Sequence, residues 1–196
     1  MPKPELKSPL VLLIILVVLS LACGFLAAPD QPAAQAQATD AFDETYLGLR
    51  SRLLALDPGE VGLEPSAETP NVWAVLMEFR LSDGGAVTLV AVADGSTSLY
   101  FSNGGGILGT GEKEAVARAS QALVALAEDH YNRMAPTEDF PLPVRDKIQF
   151  YVLTYAGAYT ANLDEEGLGA GEHEFSPLFY AANEVITQVR LNSPDN

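Results

Sequence analysis

The sequence is poor in the residues that most often carry out chemistry. It has one cysteine and two histidines in 196 residues, and Cys23 lies in an apolar N-terminal stretch. The rest of the chain therefore has no disulfide, no thiolate nucleophile and no cysteine metal site. Nucleophile motifs of the Gly-x-Ser-x-Gly type are also absent. These absences favour a chain without enzymatic activity and without a cofactor.

Positive charge is scarce as well. The chain has 11 Lys and Arg against 26 Asp and Glu. Once Lys3, Lys7 and Glu5 are set aside, nine basic residues remain against 25 acidic ones, a net charge near −16. Such a surface repels nucleic-acid phosphates and anionic lipid headgroups. The composition therefore excludes nucleic acid as a partner.

An uncharged apolar run lies near the N-terminus. Residues 9–28 read PLVLLIILVVLSLACGFLAA, and as a helix they would span roughly 30 Å, the thickness of the hydrocarbon core of a bilayer. Two lysines precede the run, and no Lys or Arg follows it before Arg50. By the positive-inside rule, residues 1–8 are cytoplasmic and the rest of the chain is extracytoplasmic. We predict a single-pass anchor in the cell membrane.

Cleavage of this run is the alternative. A secretory signal peptide has the same features, and Ala-x-Ala patterns at 34–36 and 36–38 offer cleavage points. Cys23, preceded by Leu19-Ser20-Leu21-Ala22, partly matches a bacterial lipoprotein signal and is a possible lipidation site. The protein would then be secreted or lipid-anchored. Residues 29–39 predict an extended tether, and residues 40–196 an acidic globular domain.

The hydrophobic pattern of that domain predicts an α+β fold. Apolar residues recur at helical spacing in three segments, and five further segments are typical of strands, among them one that alternates and one that is nearly all apolar. The predicted elements are helix 40–56, strands 72–81, 86–93 and 97–101, helix 112–130, strands 148–154 and 158–162, and a helix from Ser176. We expect a three-strand meander and then a hairpin, joined in one antiparallel sheet of about five strands packed with three helices, in the order α-β-β-β-α-β-β-α.

Finer details of these elements also follow from the sequence. Asp40 is the expected N-cap of the first helix, and Ser176 that of the last, with Pro177 at its first position. In the first strand, alternation puts Trp73 on one face with Val75. The second strand, nearly all apolar, is expected to be covered on both faces.

Parts of the chain resemble proteins already known. The segments WAVLMEF, SLYFSNGGG and FSPLFYAANEVITQVRL are similar to those of a group of uncharacterised bacterial proteins of unknown function. The element order loosely resembles profilin-like and roadblock-like domains, which commonly pack a five-stranded antiparallel sheet with helices and often dimerise. These resemblances imply a shared fold, and they supply no activity.

The glycine-rich loop 102–111 is the most site-like segment. Its Gly104-x-Gly106-x-x-Gly109 spacing formally fits a dinucleotide fingerprint, yet the preceding strand ends an antiparallel meander and not a parallel βαβ unit. The segment also lacks the Lys-Ser/Thr ending of a P-loop. We expect its glycines to serve chain geometry. Should the loop bind a small ligand, the residues to do so are Asn103, Gly104, Gly105, Gly106 and Thr110.

A second candidate is Glu172-His173-Glu174, a histidine between two carboxylates. Such a group could act as a general base or hold a metal, but no second histidine lies nearby. The acidic run 164–166 lacks the spacing of an EF-hand calcium loop. We expect no catalytic or metal-binding residues here.

Two functions remain open at this point. The first is a non-enzymatic, membrane-tethered domain that contacts a protein partner or a second copy of itself. The second is a small-ligand-binding or hydrolytic domain that uses loop 102–111 and the Glu172-His173-Glu174 segment. A cavity joining Asn103, Thr110 and His173 would favour the second, and an apolar surface patch would favour the first.

Overall fold

We describe residues 42–193 of a computed structural model of the chain. The elements are helix α1 (Glu44–Leu54), strands β1 (Val72–Arg80), β2 (Ala86–Val92), β3 (Thr97–Phe101) and β4 (Gly106–Ile107), helix α2 (Glu114–Glu128), strands β5 (Ala135–Thr137), β6 (Lys147–Thr154) and β7 (Gly157–Asp164), and helices α3 (Glu165–Gly169) and α4 (Ser176–Asn192). Across 42–193, no helix has the length and apolar character needed to span a bilayer. The predicted segments 1–8, 9–28 and 29–39, and Cys23, lie outside the described residues.

All strands belong to one antiparallel sheet in the order β4-β3-β2-β1-β6-β7-β5. The predicted α+β class and single antiparallel sheet are confirmed, but the sheet has seven strands and not about five. The two additional strands, β4 and β5, form its edges and contain two and three residues. Strands this short cannot show a recognisable alternation, so the sequence pattern predicts no strand at either position.

The helices differ from the prediction in number and order. Four α-helices occur in the described part of the chain, because α3 forms between the predicted strand 158–162 and the predicted helix from Ser176, where no helix is expected. Asp43, and not Asp40, caps α1, since its Oδ1 accepts a hydrogen bond from Thr45 N at 2.7 Å. Ser176 is the first residue of α4, which places the N-cap at Phe175.

Helices cover the sheet on both faces. Helices α2 and α4 pack on one face, where their buried residues join those of the strands in the larger core cluster. Helix α1 covers the opposite face through a smaller cluster that includes Tyr46, Trp73 and Tyr151. All seven residues of β2 are buried, which confirms the prediction that this strand is covered on both sides.

A β-bulge at the start of β1 changes the direction of Trp73. The pairing with β6 shifts register between Val72 and Ala74, so one extra residue enters the strand there. Trp73 consequently packs in the α1-side cluster, whereas Val75 lies in the cluster under α2 and α4. The prediction that these two residues share a face is wrong, because simple alternation assumes an unbroken strand.

Candidate functional site

The glycine-rich loop 102–111 follows β3 and packs against the start of α1. Asp43 N donates a hydrogen bond to Ser102 O at 2.8 Å. A Cβ added at Gly104 would come within 2.6 Å of Asp43 Oδ1, and Gly104 has a φ of 85°. Only glycine adopts that backbone angle readily and allows so close an approach. The loop thus docks helix α1 onto the end of β3.

The backbone N–H groups of Gly104 and Gly105 in this loop are bonded within the chain. A phosphate cradle needs such groups free to meet an anion. Gly104 N donates to Phe101 O, and Gly105 N donates to Asn103 Oδ1, each at 3.0 Å. Gly106 pairs with β3 as part of β4. The glycines of the predicted ligand site therefore hold the path of the chain.

Two hydroxyl groups of the loop likewise form hydrogen bonds with the backbone of the chain. Ser102 Oγ accepts a hydrogen bond from Ala86 N at 2.8 Å. Thr110 Oγ1 donates to Thr97 O at 3.3 Å, and this bond ties the end of the loop back to β3. Ligand binding by this loop stays a prediction.

The three residues of the Glu172-His173-Glu174 segment point to different partners. His173 Nδ1 accepts a hydrogen bond from Phe175 N at 3.2 Å, and the two rings stack. Glu174 Oε2 forms an ion pair with Arg133 at 2.9 Å. Glu172 instead lines an acidic cleft of about 710 Å³. The segment therefore does not bring a base and two carboxylates together.

The acidic cleft collects the carboxylates of the run 164–166. Asp146, Asp164 and Glu172 line it with Glu165 and Glu166, whereas His173 and the residues of loop 102–111 do not. Lys147 Nζ donates to Asp164 Oδ1 at 2.6 Å. Between residues 42 and 193, no group of three or more His, Cys, Asp and Glu side chains is arranged to hold a metal ion.

A buried ion pair, unpredicted from the sequence, joins α1 to the sheet. Arg50 Nε and Nη2 donate to Glu78 Oε1 and Oε2 at 2.7 and 2.8 Å, a bidentate contact. Arg50 is 5% exposed and Glu78 is 0% exposed. Arg50 also donates to Phe140 O at 3.0 Å and Pro141 O at 2.9 Å. One guanidinium thus connects α1, β1 and the loop before β6.

Hydroxyl groups complete this polar cluster. Thr88 Oγ1 donates to Glu78 Oε1 at 2.9 Å and is bonded to Tyr46 OH at 2.9 Å. Tyr151 OH donates to Pro141 O at 2.8 Å, and burial together with the negative charge of Glu78 raises the pKa of Tyr151 to about 12. Because each charge has its partners, the cluster acts as a structural clamp and leaves no free base.

One sequence signal could have revealed this clamp. Arg50 follows Tyr46 by four residues, so it lies on the apolar stripe that α1 presents to the sheet. Glu78 lies in a strand whose other residues are mostly apolar. A lone basic residue and a lone acidic residue, each on a buried face, indicate an ion pair because an unpaired buried charge is costly.

An apolar depression lies on the same sheet face, beside α1. This depression, the Trp73 groove, is a cavity of about 300 Å³ between the end of α1, the segment 137–140 and the β6–β7 hairpin. Among its apolar lining residues are Leu54, Leu56, Trp73, Phe140, Leu153 and Ala158. Trp73 is 3% exposed and Leu153 is 4% exposed, so they form the floor, whereas the other four are half-buried.

A second cavity, of about 370 Å³, adjoins the Trp73 groove. The two share Thr137, Glu138, Gly157 and Ala158. Glu138 is the one charged residue among the described residues that line either cavity. Sequence patterns could not predict this surface, because its lining comes from segments that are distant along the chain and meet only in the fold.

None of the protein-family models, curated proteins or solved structures compared with this chain matches it. Function is therefore inferred from the geometry of the residues themselves. Of the candidate surfaces, loop 102–111 and the buried clamp hold the fold together. The Trp73 groove is an apolar surface to which no such structural role is assigned.

Proposed function

We propose that this chain is a non-enzymatic protein-interaction domain, tethered to a membrane by residues 9–28, and that a partner docks in the Trp73 groove. The observation that carries the proposal is an apolar depression with a buried tryptophan at its floor. Concave apolar surfaces of this kind are typical of sites that take a partner's side chain, and tryptophan is enriched at the centres of such sites.

The placement of the polar side chains supports a binding role over catalysis. A catalytic site needs a base or nucleophile within reach of a substrate and oriented by a third group. The buried carboxylate of Glu78 is bonded to Arg50 and Thr88, so it is closed to a substrate. Neither His173 nor loop 102–111 lines the acidic cleft of Glu172.

The membrane tether is supported by the sequence. The twenty residues of 9–28 carry no charge and follow two lysines, the arrangement that leaves the N-terminus in the cytoplasm. The proposal places residues 42–193 on the extracytoplasmic side. Partner proteins that lie at, or pass, that side of the membrane are then the candidates for binding.

Site-specific photo-crosslinking in native cells tests the docking surface. A photoreactive amino acid replaces Leu56 at the groove, and in a matched control it replaces Glu184 on α4, which packs on the opposite sheet face. We expect a discrete crosslinked protein from position 56 and none from position 184. Equal crosslinking from the two positions, or none from position 56, would contradict the proposal.

The same cells test the tether. Protease added outside cells whose outer layers have been opened should digest residues 42–193 when the cytoplasmic membrane is intact. Protection until that membrane is lysed would place the domain in the cytoplasm and refute the proposed orientation.

A further inference from the structure

We propose that the Trp73 groove takes a short extended segment of the partner in which apolar and basic residues alternate. This inference rests on the proposed function, and it adds the chemistry of the ligand. Three features of the groove lead to it: the size of the cavities, the blunted edge of the sheet, and the charge at the mouth.

The size of the cavities limits what can enter. At about 300 Å³ and 370 Å³, each lies at the small end of the range for ligand pockets. Each therefore has room for one or two side chains and not for a helix or a folded surface. An extended segment presents alternate side chains on one face, so it can fill two adjoining cavities at once.

Side-chain docking is favoured over addition of a strand to the sheet. The nearest sheet edge is β5, whose middle residue is Pro136. Proline has no N–H to donate, and natural proteins use it to prevent further strand pairing at an edge. Affinity must then come from apolar contacts with residues such as Trp73 and Leu153 at the groove floor.

Charge at the mouth selects basic residues in the ligand. Glu138 is exposed and lines both cavities, and exposed Asp139 follows it. Within residues 42–193, neither carboxylate forms an ion pair. None of the described residues that line the two cavities is Lys, Arg or His. A Lys or Arg between two apolar residues of the ligand would find an unpaired carboxylate there.

Energy transfer from Trp73 tests the inference. Trp73 is the only tryptophan of the chain, so transfer to a dansyl group on a peptide reports binding to this domain, and the charge variants then locate the binding. The full chain is reconstituted in nanodiscs of zwitterionic lipid and titrated with two dansyl-labelled hexapeptides. They share the same leucines, with lysines between them in one peptide and glutamates in the other.

We expect transfer with the lysine peptide and about tenfold weaker binding of the glutamate peptide. Glu138→Lys should weaken the lysine peptide by about tenfold, whereas Glu184→Lys, with the same change in net charge, should weaken it less than twofold because α4 lies on the other sheet face. Thermal melts of the two variants check that each is folded.

Several results would overturn the inference. These are equal binding of the two peptides, equal loss in Glu138→Lys and Glu184→Lys, or no transfer with either peptide. An apparent peptide affinity that weakens as the protein concentration rises would identify a second copy, competing with the peptide, as the occupant instead. The crosslinking from position 56 is independent of peptide chemistry, so a discrete crosslink combined with failed peptide binding removes this inference and leaves the proposed function standing.

Discussion

Removal of one partner from the buried clamp should destabilise the protein strongly. In Arg50→Met, the carboxylate of Glu78 stays buried at 0% exposure, and it retains only the hydrogen bond from Thr88. Breaking a buried ion pair in this way costs about 3–5 kcal/mol. Domains of ordinary size have a free energy of unfolding of about 5–15 kcal/mol, so the variant should lose a large part of its stability.

The surface pair of Arg118 and Glu114 provides the matched control. Their side chains are 67% and 82% exposed, and such pairs contribute about 0–1 kcal/mol. Arg118→Met should therefore change stability by less than about 1 kcal/mol. The measurement is urea unfolding of the full chain in nanodiscs, followed by the emission of Trp73, which is 3% exposed in the folded protein.

A double variant separates the ion pair from its surroundings. The double variant Arg50→Met/Glu78→Leu leaves no charge buried in the clamp. The loss in its free energy of unfolding should therefore be at least about 2 kcal/mol smaller than the sum of the losses in the two single variants. Part of the cost remains because Phe140 O loses the hydrogen bond from Arg50. Additive costs, or a cost of Arg50→Met equal to that of Arg118→Met, would refute the role assigned to the clamp.

Two further predictions concern glycine geometry and alkaline pH. Gly111→Ala should destabilise the fold by at least about 2 kcal/mol, because a Cβ there would overlap the carbonyl oxygen of Gly95 and lie 2.9 Å from Ser96 Cα. Gly48→Ala, with no atom within 4 Å of the new Cβ, should instead stabilise α1 by about 0.5–1 kcal/mol. Urea unfolding that ranks the two variants the other way would contradict the glycine argument. The pKa of Tyr151 is raised from 10.0 to about 12. The contribution of its protonated hydroxyl to the free energy of unfolding is therefore fully present below pH 10 and should be lost as pH rises towards 12. The free energy of unfolding should therefore fall more steeply with pH in this window for the wild type than for Tyr151→Phe. Equal slopes in the two proteins would exclude Tyr151 as the cause.

The main elements could be predicted because their residues repeat at a regular spacing over several turns or alternations. The stripe of α2 and the nearly all-apolar β2 are long enough for the pattern to be read. Strands of two and three residues, such as β4 and β5, contain no repeat, and they form only because β3 and β7 offer partners for their backbone groups. Helix α3, with five residues, is likewise too short to show a repeat.

Local details failed where one residue altered the register. The bulge at Val72 and Ala74 reverses the face of Trp73, and so it creates the floor of the groove. The β6–β7 turn consists of Tyr155 and Ala156, because Gly157, which precedes the predicted strand 158–162, already pairs with Thr154. Such shifts depend on contacts across the sheet, which spacing along the chain does not encode.

Under the proposed function, charge and apolar contact have separate roles in partner binding. The described residues contain 22 Asp and Glu against nine Lys and Arg, so a basic segment is attracted to much of the surface. That attraction speeds the approach of a partner, but it cannot fix where the partner binds. The Trp73 groove adds a local apolar contact beside the carboxylate of Glu138. Salt should therefore act mainly on the association rate, whereas changes at Leu56 or Ala158 should act mainly on the dissociation rate.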